Sequence, residues 1–561
     1  MLNQAHTPPA WSLDDFDFVR RDASPRWLVP WDRFDIMIKW AHGSYFLEHA
    51  SKLNAPETPQ FISDVYLEHE RVWNHFSERC PATTKRSHPN CTAKCGASAF
   101  VGVFHTMLLS MRAQGFSAEL GGAIPACSRP GSTTAYALNG AHRVAAAIAA
   151  GLPSMPVDVH DGGKPCNEES IASRIWDWQF FAKLGYRREY ADWVVARAIK
   201  ADASLFVVHL WPVAARVLDK RLTINGRATI GKMVRRTLAS ACSTENGVLY
   251  EKEVSLSSRA LGHYLRHSYG DVPWLATKHR AVWAAEAPTR VFVVRSTSPR
   301  MDACKEELRR RLHPHLRPAD FKASVHATSH HSEAVGASRI LLNDNSIAHL
   351  NSATDAGFAT CWRVANSVLG TDLSLVAKHA TRKAVPVATP PPPAQQQGAL
   401  EPLPALVAPA TAAMPLTRGH ATTSTDTLLP EDFLLDTGAA MALYGLRDMT
   451  DIDLIWEPGR SAAAELVEVC GRHPGRLCQG HYGSHMPPVR GYDWFRFHNS
   501  SAGPEELLHD PRRHAYCAGL KMVALPQLLA YKRQRLRARG ETKDARDVGL
   551  IERVLGVNAT R

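Results

Sequence analysis

Short apolar runs ended by proline or glycine alternate along this chain with stretches of helical period, the pattern of layered α and β elements. A helical pattern over Ala99–Gly115 leads to Ala123-Ile124-Pro125. A strand over Thr134–Leu138, an alanine-rich helix to Gly151 and a returning strand at Met155–Val159 follow. Two helices are expected around Gly185-Tyr186. Leu205–Trp211 is then a continuous apolar run stopped by Pro212, which predicts a buried strand. Val248–Tyr250 and Arg290–Val294 are two more, with a helix over Ser257–Tyr269 between them and another over Ser332–Leu342 beyond. Near the end, Phe433-Leu434-Leu435 breaks at Thr437-Gly438, an Ala/Met/Leu helix closes at Gly445, and Asp451–Ile455 alternates as a strand.

These patterns divide the chain into a mainly helical, aromatic-rich region 1–96, a small domain 97–165, an α/β middle domain 166–380 and a C-terminal domain 429–561. The expected class is therefore multidomain, α/β and α+β. The aromatic stripe that includes Trp40, Tyr66 and Trp73 reads as core. Residues 381–428 are rich in Pro, Ala, Thr and Gln; such composition buries too little apolar surface to fold and predicts an extended linker, with the halves on either side moving independently.

Composition adds modest constraints. The chain has 561 residues, 45% of them hydrophobic, and a net charge of +12, which favours anionic partners without choosing among them. Eleven cysteines scattered over this length read as reduced thiols. The start lacks a basic-then-apolar leader and no run is long enough to span a bilayer, so a cytoplasmic, membrane-free protein is expected. Cys80, His88, Cys91 and Cys95 lie close together, but their spacing matches no paired C-x-x-C knuckle, and the segment reads as a polar loop.

The strongest chemical signal is at the C-terminus. Alternation puts Asp451 and Asp453 on one strand face, about 7 Å apart, where a divalent metal chelating phosphates would relieve their repulsion. Gly438 opens the backbone to a phosphate at a helix N-terminus. This arrangement resembles the polymerase-β-type nucleotidyltransferase superfamily, with its glycine turn from strand to helix followed by a D-x-D strand. The tail also resembles that of small bacterial members: Gly519-Leu520-Lys521, Lys532 in a basic helix, then Lys543-Asp544-Ala545-Arg546-Asp547. The resemblance covers residues 429–561. It implies a nucleotidyltransferase-like α+β domain with a helical tail, with Asp451 and Asp453 holding Mg²⁺ or Mn²⁺. A third catalytic carboxylate is implied on a later strand, for which Asp493 is the candidate, and Thr437, Gly438 and Lys532 would sit near a nucleoside triphosphate. The serine that often follows the glycine is replaced by Ala439.

A second signal is Asn139-Gly140-Ala141-His142-Arg143, where a glycine turn places His and Arg in the first turn of a helix, a cradle for an anion. This segment resembles the ParB/sulfiredoxin-type fold over residues 97–160. Ala141 stands where sulfiredoxin chemistry needs a cysteine, and no recognition helix follows, which leaves nucleotide binding or phosphoryl transfer by Asn139, Gly140, His142 and Arg143. In the middle domain, Ser324 and His326 on one strand face, near Lys305 and Arg309, are a possible phosphate or acid–base group; His330 and His331 are expected in solvent. No Walker lysine loop and no G-x-G-x-x-G occurs. The combined expectation is a Mg-dependent nucleotidyltransferase or phosphotransferase acting on a small-molecule or glycan-type acceptor. A nucleic-acid-binding protein and an inactive scaffold are the alternatives.

Overall fold

The computed structural model describes residues 19–29, 32–50, 58–74, 97–117, 122–128, 135–160, 176–218, 220, 229–245, 247–285, 287–318, 320–321, 323–368, 433–447, 453–456 and 504–557. The linker 381–428, the Cys80–Cys95 cluster, Asp451, Asp493 and the strand expected over Val489–Phe497 lie outside the described residues. Within them, helices alternate with three four-stranded sheets in a mixed α/β architecture.

The first sheet holds β1 (Val19–Ala23), β2 (Ile124–Ser128), β3 (Ala135–Ala137) and β4 (Met155–His160) in the order β1-β4-β2-β3. Along β4, Met155, Val157 and Val159 are buried and alternate with half-buried Pro156, Asp158 and His160, the period of a strand with one covered face. Helices Phe34–His49 and Ala141–Ala149 cover it and pack on each other. A Cβ at Gly43 would meet Leu108 Cδ2 at 2.9 Å, so the absence of a side chain there permits the close approach. Because β1 pairs with β4 and Phe34–His49 lies on this layer, the expected division at residue 97 does not separate two packed units. Burial of one apolar face, which neither segment achieves alone, joins them.

The second sheet holds β5 (Leu205–Leu210), β6 (Tyr250–Val254), β7 (Thr289–Arg295) and β8 (Val325–Ala327) in the order β6-β7-β5-β8, antiparallel throughout. Every residue of β5 is buried. Leu205 and Val207 face one core, whereas Phe206, Val208 and Leu210 face another. A two-sided apolar strand is thus the wall between two cores, each buried branched side chain contributing about 1.5–3 kcal/mol. The strand expected around Ser324 is shorter, and Ser324 precedes it, buried and donating to Phe321 O at 2.7 Å. His330 is exposed as expected, but His331 is half-buried, with Nε2 at 2.6 Å from Ile199 O.

The third sheet orders β9 (Phe433–Asp436), β10 (Asp453–Trp456), β11 (His514–Cys517) and β12 (Leu520–Val523) as β10-β9-β12-β11. Helices Leu525–Arg539 and Thr542–Leu555 pack against each other beyond it. This segment does not stand apart from the middle of the chain. Helix Asp344–Ser352 packs on β11, Tyr516 N donates to Ser346 Oγ at 2.8 Å, and Asn345 Nδ2 donates to Pro511 O at 2.8 Å. A Cβ on Gly357 would lie 2.6 Å from Gly445 N, so the two backbones touch. A disulfide joins Cys361 to Cys517 across the same junction. The expected independent motion is corrected: linker composition reports nothing about whether the flanking surfaces fit one another. The expected reduced thiols are corrected too, since Cys242 and Cys304 are also bonded. Among the described residues, no helix is long and apolar enough to cross a membrane.

Candidate functional site

The turn between β3 and helix Ala141–Ala149 carries the first candidate site. Gly140 has φ of 83°, and its missing Cβ would otherwise meet Ile124 Cδ1 at 2.6 Å, so two separate constraints favour glycine. Asn139 Oδ1 accepts the Gly140 N–H at 2.6 Å and closes the turn. The helix then begins with no side-chain cap at Gly140, which leaves its positive end presented at His142 and Arg143. Arg143 Nη1 donates to Gly122 O at 2.7 Å and so ties the turn to the start of β2. Burial lowers the Arg143 pKa from its ordinary value.

Behind His142 lies a charged network that motif reading missed. His142 Nε2 is 2.8 Å from the Tyr66 hydroxyl and 3.6 Å from Glu70 Oε1. Glu70 is buried, with Lys39 Nζ at 3.5 Å and His69 Nδ1 at 3.1 Å. Burial alone would raise its pKa, but Lys39, His69 and His142 outweigh that and hold the carboxyl well below the usual range. Arg33 and Asp35 complete the set as a buried two-bond pair at 2.8 and 2.9 Å. Arg33 also donates to Ala137 O, the last residue of β3, and lies over the Tyr136 and Trp176 rings. The strand end before the turn and the helix after it are thereby fixed by one group of charges.

A signal for this network was present. Asp35, Lys39 and His42 recur at helical spacing on an otherwise apolar helix, as do Tyr66 and Glu70 on the next. Polar residues on a face that must be buried need partners. His42 belongs to a different contact: its Nε2 is 3.0 Å from His105 Nε2, and burial holds the two at pKa values of about 4 and 3. They are neutral packing groups. The turn thus places a helix N-terminus beside an imidazole that is 22% exposed and oriented by a phenol and a carboxylate.

The second candidate is the turn from β9 into helix Thr437–Leu443, where Thr437 and Gly438 open the helix directly after the strand. β10 returns antiparallel beside β9 with Asp453 in register opposite Asp436, a carboxylate the D-x-D pattern did not single out. Lys532 lies elsewhere. It is buried between the two final helices, 2.7 Å from Asp547 and 3.3 Å from Asp544. The acids of the tail motif are its partners, so its charge is directed into the helix pair and not toward a triphosphate. Arg533 and Arg535 are held likewise, by Glu552 at 2.7 Å and Asp544 at 3.3 Å. Among the described residues, no group of three or more His, Cys, Asp or Glu side chains is gathered as a metal site. Comparison with protein-family models, with curated proteins and with solved structures finds no match for this chain.

Proposed function

We propose that the C-terminal segment transfers a nucleotidyl group from a nucleoside triphosphate, and that the turn Asn139–Arg143 binds a second nucleotide or a phosphorylated substrate. The observation that carries this reading is the β9–helix–β10 unit. A strand runs without a loop into a helix at Thr437-Gly438, and a neighbouring strand returns with Asp453 opposite Asp436. Like charges directly opposite on antiparallel strands destabilise the pairing, and a hard divalent cation offsets that. Carboxylate oxygens suit Mg²⁺ or Mn²⁺.

In this reading Asp451 and Asp453 hold the ion, and Asp493 accepts the proton of the acceptor hydroxyl. The bound ion supplies charge neutralisation on the phosphates. Gly438 and Thr437 seat the phosphates at the helix N-terminus. Lys532 orders the helix pair behind the site. At the N-terminal turn, His142, held by Tyr66 and Glu70, donates to the bound phosphate or moves a proton at Nε2 or Nδ1. The acceptor class is a small molecule or glycan precursor, and a cytoplasmic setting, where triphosphates are abundant, belongs to the same proposal.

The test is incubation with each of the four α-labelled triphosphates and Mg²⁺, wild type beside Asp451→Asn. Transfer of the α-label to acceptor, with matching release of unlabelled pyrophosphate, should fall by about 100-fold or more in the variant, the range for removing one charge-stabilising group. Transfer that persists unchanged removes the assignment. A nucleic-acid-binding role is the second reading, favoured by the net charge of +12. It requires affinity for nucleic acid that collapses steeply with salt.

A further inference from the structure

The middle sheet carries an unassigned cluster of titratable groups. His209 on β5 lies opposite His326 on β8, with their rings stacked at 5.2 Å between centroids. The Tyr264 hydroxyl is 3.2 Å from His209 Nε2, and burial together with the neighbouring His326 holds His209 neutral. His326 lies nearer the surface, with its side chain 11% exposed. Its Nδ1 is 2.9 Å from the Tyr269 hydroxyl, and its Nε2 is 2.9 Å from Glu333 Oε1. The Glu333 carboxylate also accepts the Ser329 N–H at 2.8 Å. Glu333 thereby fixes the ring and leaves Nδ1 directed at the phenol.

Beside Tyr269, three cations converge from two helices. Lys278, on helix Leu275–Val282, donates to Ala323 O at 3.3 Å. Arg309, on helix Ser298–Leu312, donates to Val325 O at 3.1 Å. Ala323 lies two residues before Val325, the first residue of β8, so the two cations meet the same short stretch of backbone. Lys305 lies one turn before Arg309. The acids that pair with Lys305 and Arg309, namely Asp302 and Glu306, are 65% and 64% exposed, whereas the cations themselves are only 24% and 18% exposed. Exposed pairs of this kind contribute little, so the positive charge dominates inward. Lys278 makes no ion pair among the described residues. Burial, then Arg309 and Lys305, push its pKa down to about 8. At the rim, Trp274 is 49% exposed and meets Tyr269 edge-on at 5.3 Å between centroids.

We propose that this face binds a nucleoside monophosphate, with its phosphate between Lys278 and Arg309 and its base against Trp274. A bound anion relieves the repulsion among these partly buried cations. A half-exposed indole beside them suits a flat ring, and stacking of that kind contributes about 1–3 kcal/mol per base. The site is separate from both turns assigned above. The groups that face Lys278 are Arg309 and Lys305 from one helix, Tyr269 from another, and behind it His326 and Glu333. A bound phosphate raises the Lys278 pKa, so binding near pH 8 takes up a proton.

The experiment is calorimetric titration of the full chain at pH 8, without divalent metal, using adenosine monophosphate, inorganic phosphate and adenosine. Repeating it in buffers of different ionisation enthalpy reads the proton uptake. Wild type should bind the monophosphate with proton uptake and more tightly than either fragment. Lys278→Met should lose the uptake and about tenfold in affinity, the scale of one charge-assisted contact. Lys278→Arg should keep the affinity while losing the uptake, which separates lost charge from lost fold. Trp274→Ala should weaken the monophosphate and leave inorganic phosphate unchanged. Wild-type affinity and uptake in Lys278→Met would overturn the proposal, as would the absence of binding to wild type. Affinity lost in Arg143→Ala but kept in Lys278→Met would overturn it as well, and would locate the ligand at the N-terminal turn.

Discussion

Two buried charge clusters in this protein use the same chemistry for different ends. At the N-terminal turn, the Glu70 carboxylate is surrounded by Lys39, His69 and His142, and the last of these reaches the surface beside a glycine turn. In the tail the signs are reversed: the Lys532 ammonium lies between Asp544 and Asp547, and all three are buried. The first cluster opens onto a helix N-terminus, where the proposed anion would bind; the second is closed between two helices. A buried charge is therefore no mark of a site by itself. What matters is whether one member of the cluster is left facing a place where a ligand fits.

Three substitutions test that contrast, in order of decreasing effect. Lys532→Met leaves the buried Asp547 with Arg447 at 3.8 Å and the buried Asp544 with Arg535 at 3.3 Å as their remaining cations, and should cost about 3 kcal/mol of stability in urea unfolding, with phosphate binding at Asn139–Arg143 unaltered. If binding at that turn fell in parallel, the two clusters would be coupled and the contrast would fail. Gly140→Ala places a side chain in the left-handed region, at about 1–2 kcal/mol, and against Ile124. It should also weaken phosphate binding at the turn, read by titration with inorganic phosphate. The smallest effect is a pH dependence. The folded pKa of Asp35 is about 2, below the ordinary 3.8, because Arg33 outweighs the effect of burial. Its contribution is thus fully present above the unfolded value and is lost as pH falls through the folded one. The stability advantage of wild type over Asp35→Asn should shrink between about pH 4 and 2, measured by chemical unfolding at each pH. An advantage that does not change across that window would show that Arg33 and Asp35 are not an ionised pair.

Much of the local structure was legible. The apolar run ended by Pro212 is β5, the pattern over Ser257–Tyr269 is a helix, and Ser257 caps it by accepting the Ala260 N–H at 3.2 Å. Met155–Val159 alternates as a strand with one covered face should. The breaks at Gly140 and Thr437-Gly438 are strand-to-helix turns, as the residue types required. These features depend on neighbours within a few residues, where backbone freedom and side-chain period decide. The candidate sites were legible only in part. Asn139, Gly140, His142 and Arg143 are gathered at one turn, but Glu70 and Tyr66 reach it from a distant helix. Lys532 read as a phosphate-facing cation because its partners lie on the following helix and meet it only after that helix folds back.

By itself the sequence determined where many of the strands and helices lie to within a few residues, which faces are apolar, and where glycine allows a strand to turn into a helix. All of these follow from short-range sterics and from periodicity. Tertiary structure alone decided that residues before 97 complete the first sheet and that the segments on either side of the linker are bonded at Cys361 and Cys517. It also decided which buried charges meet. Those outcomes depend on shape and charge complementarity between surfaces far apart in the chain, and a charge leaves water only where its partner arrives.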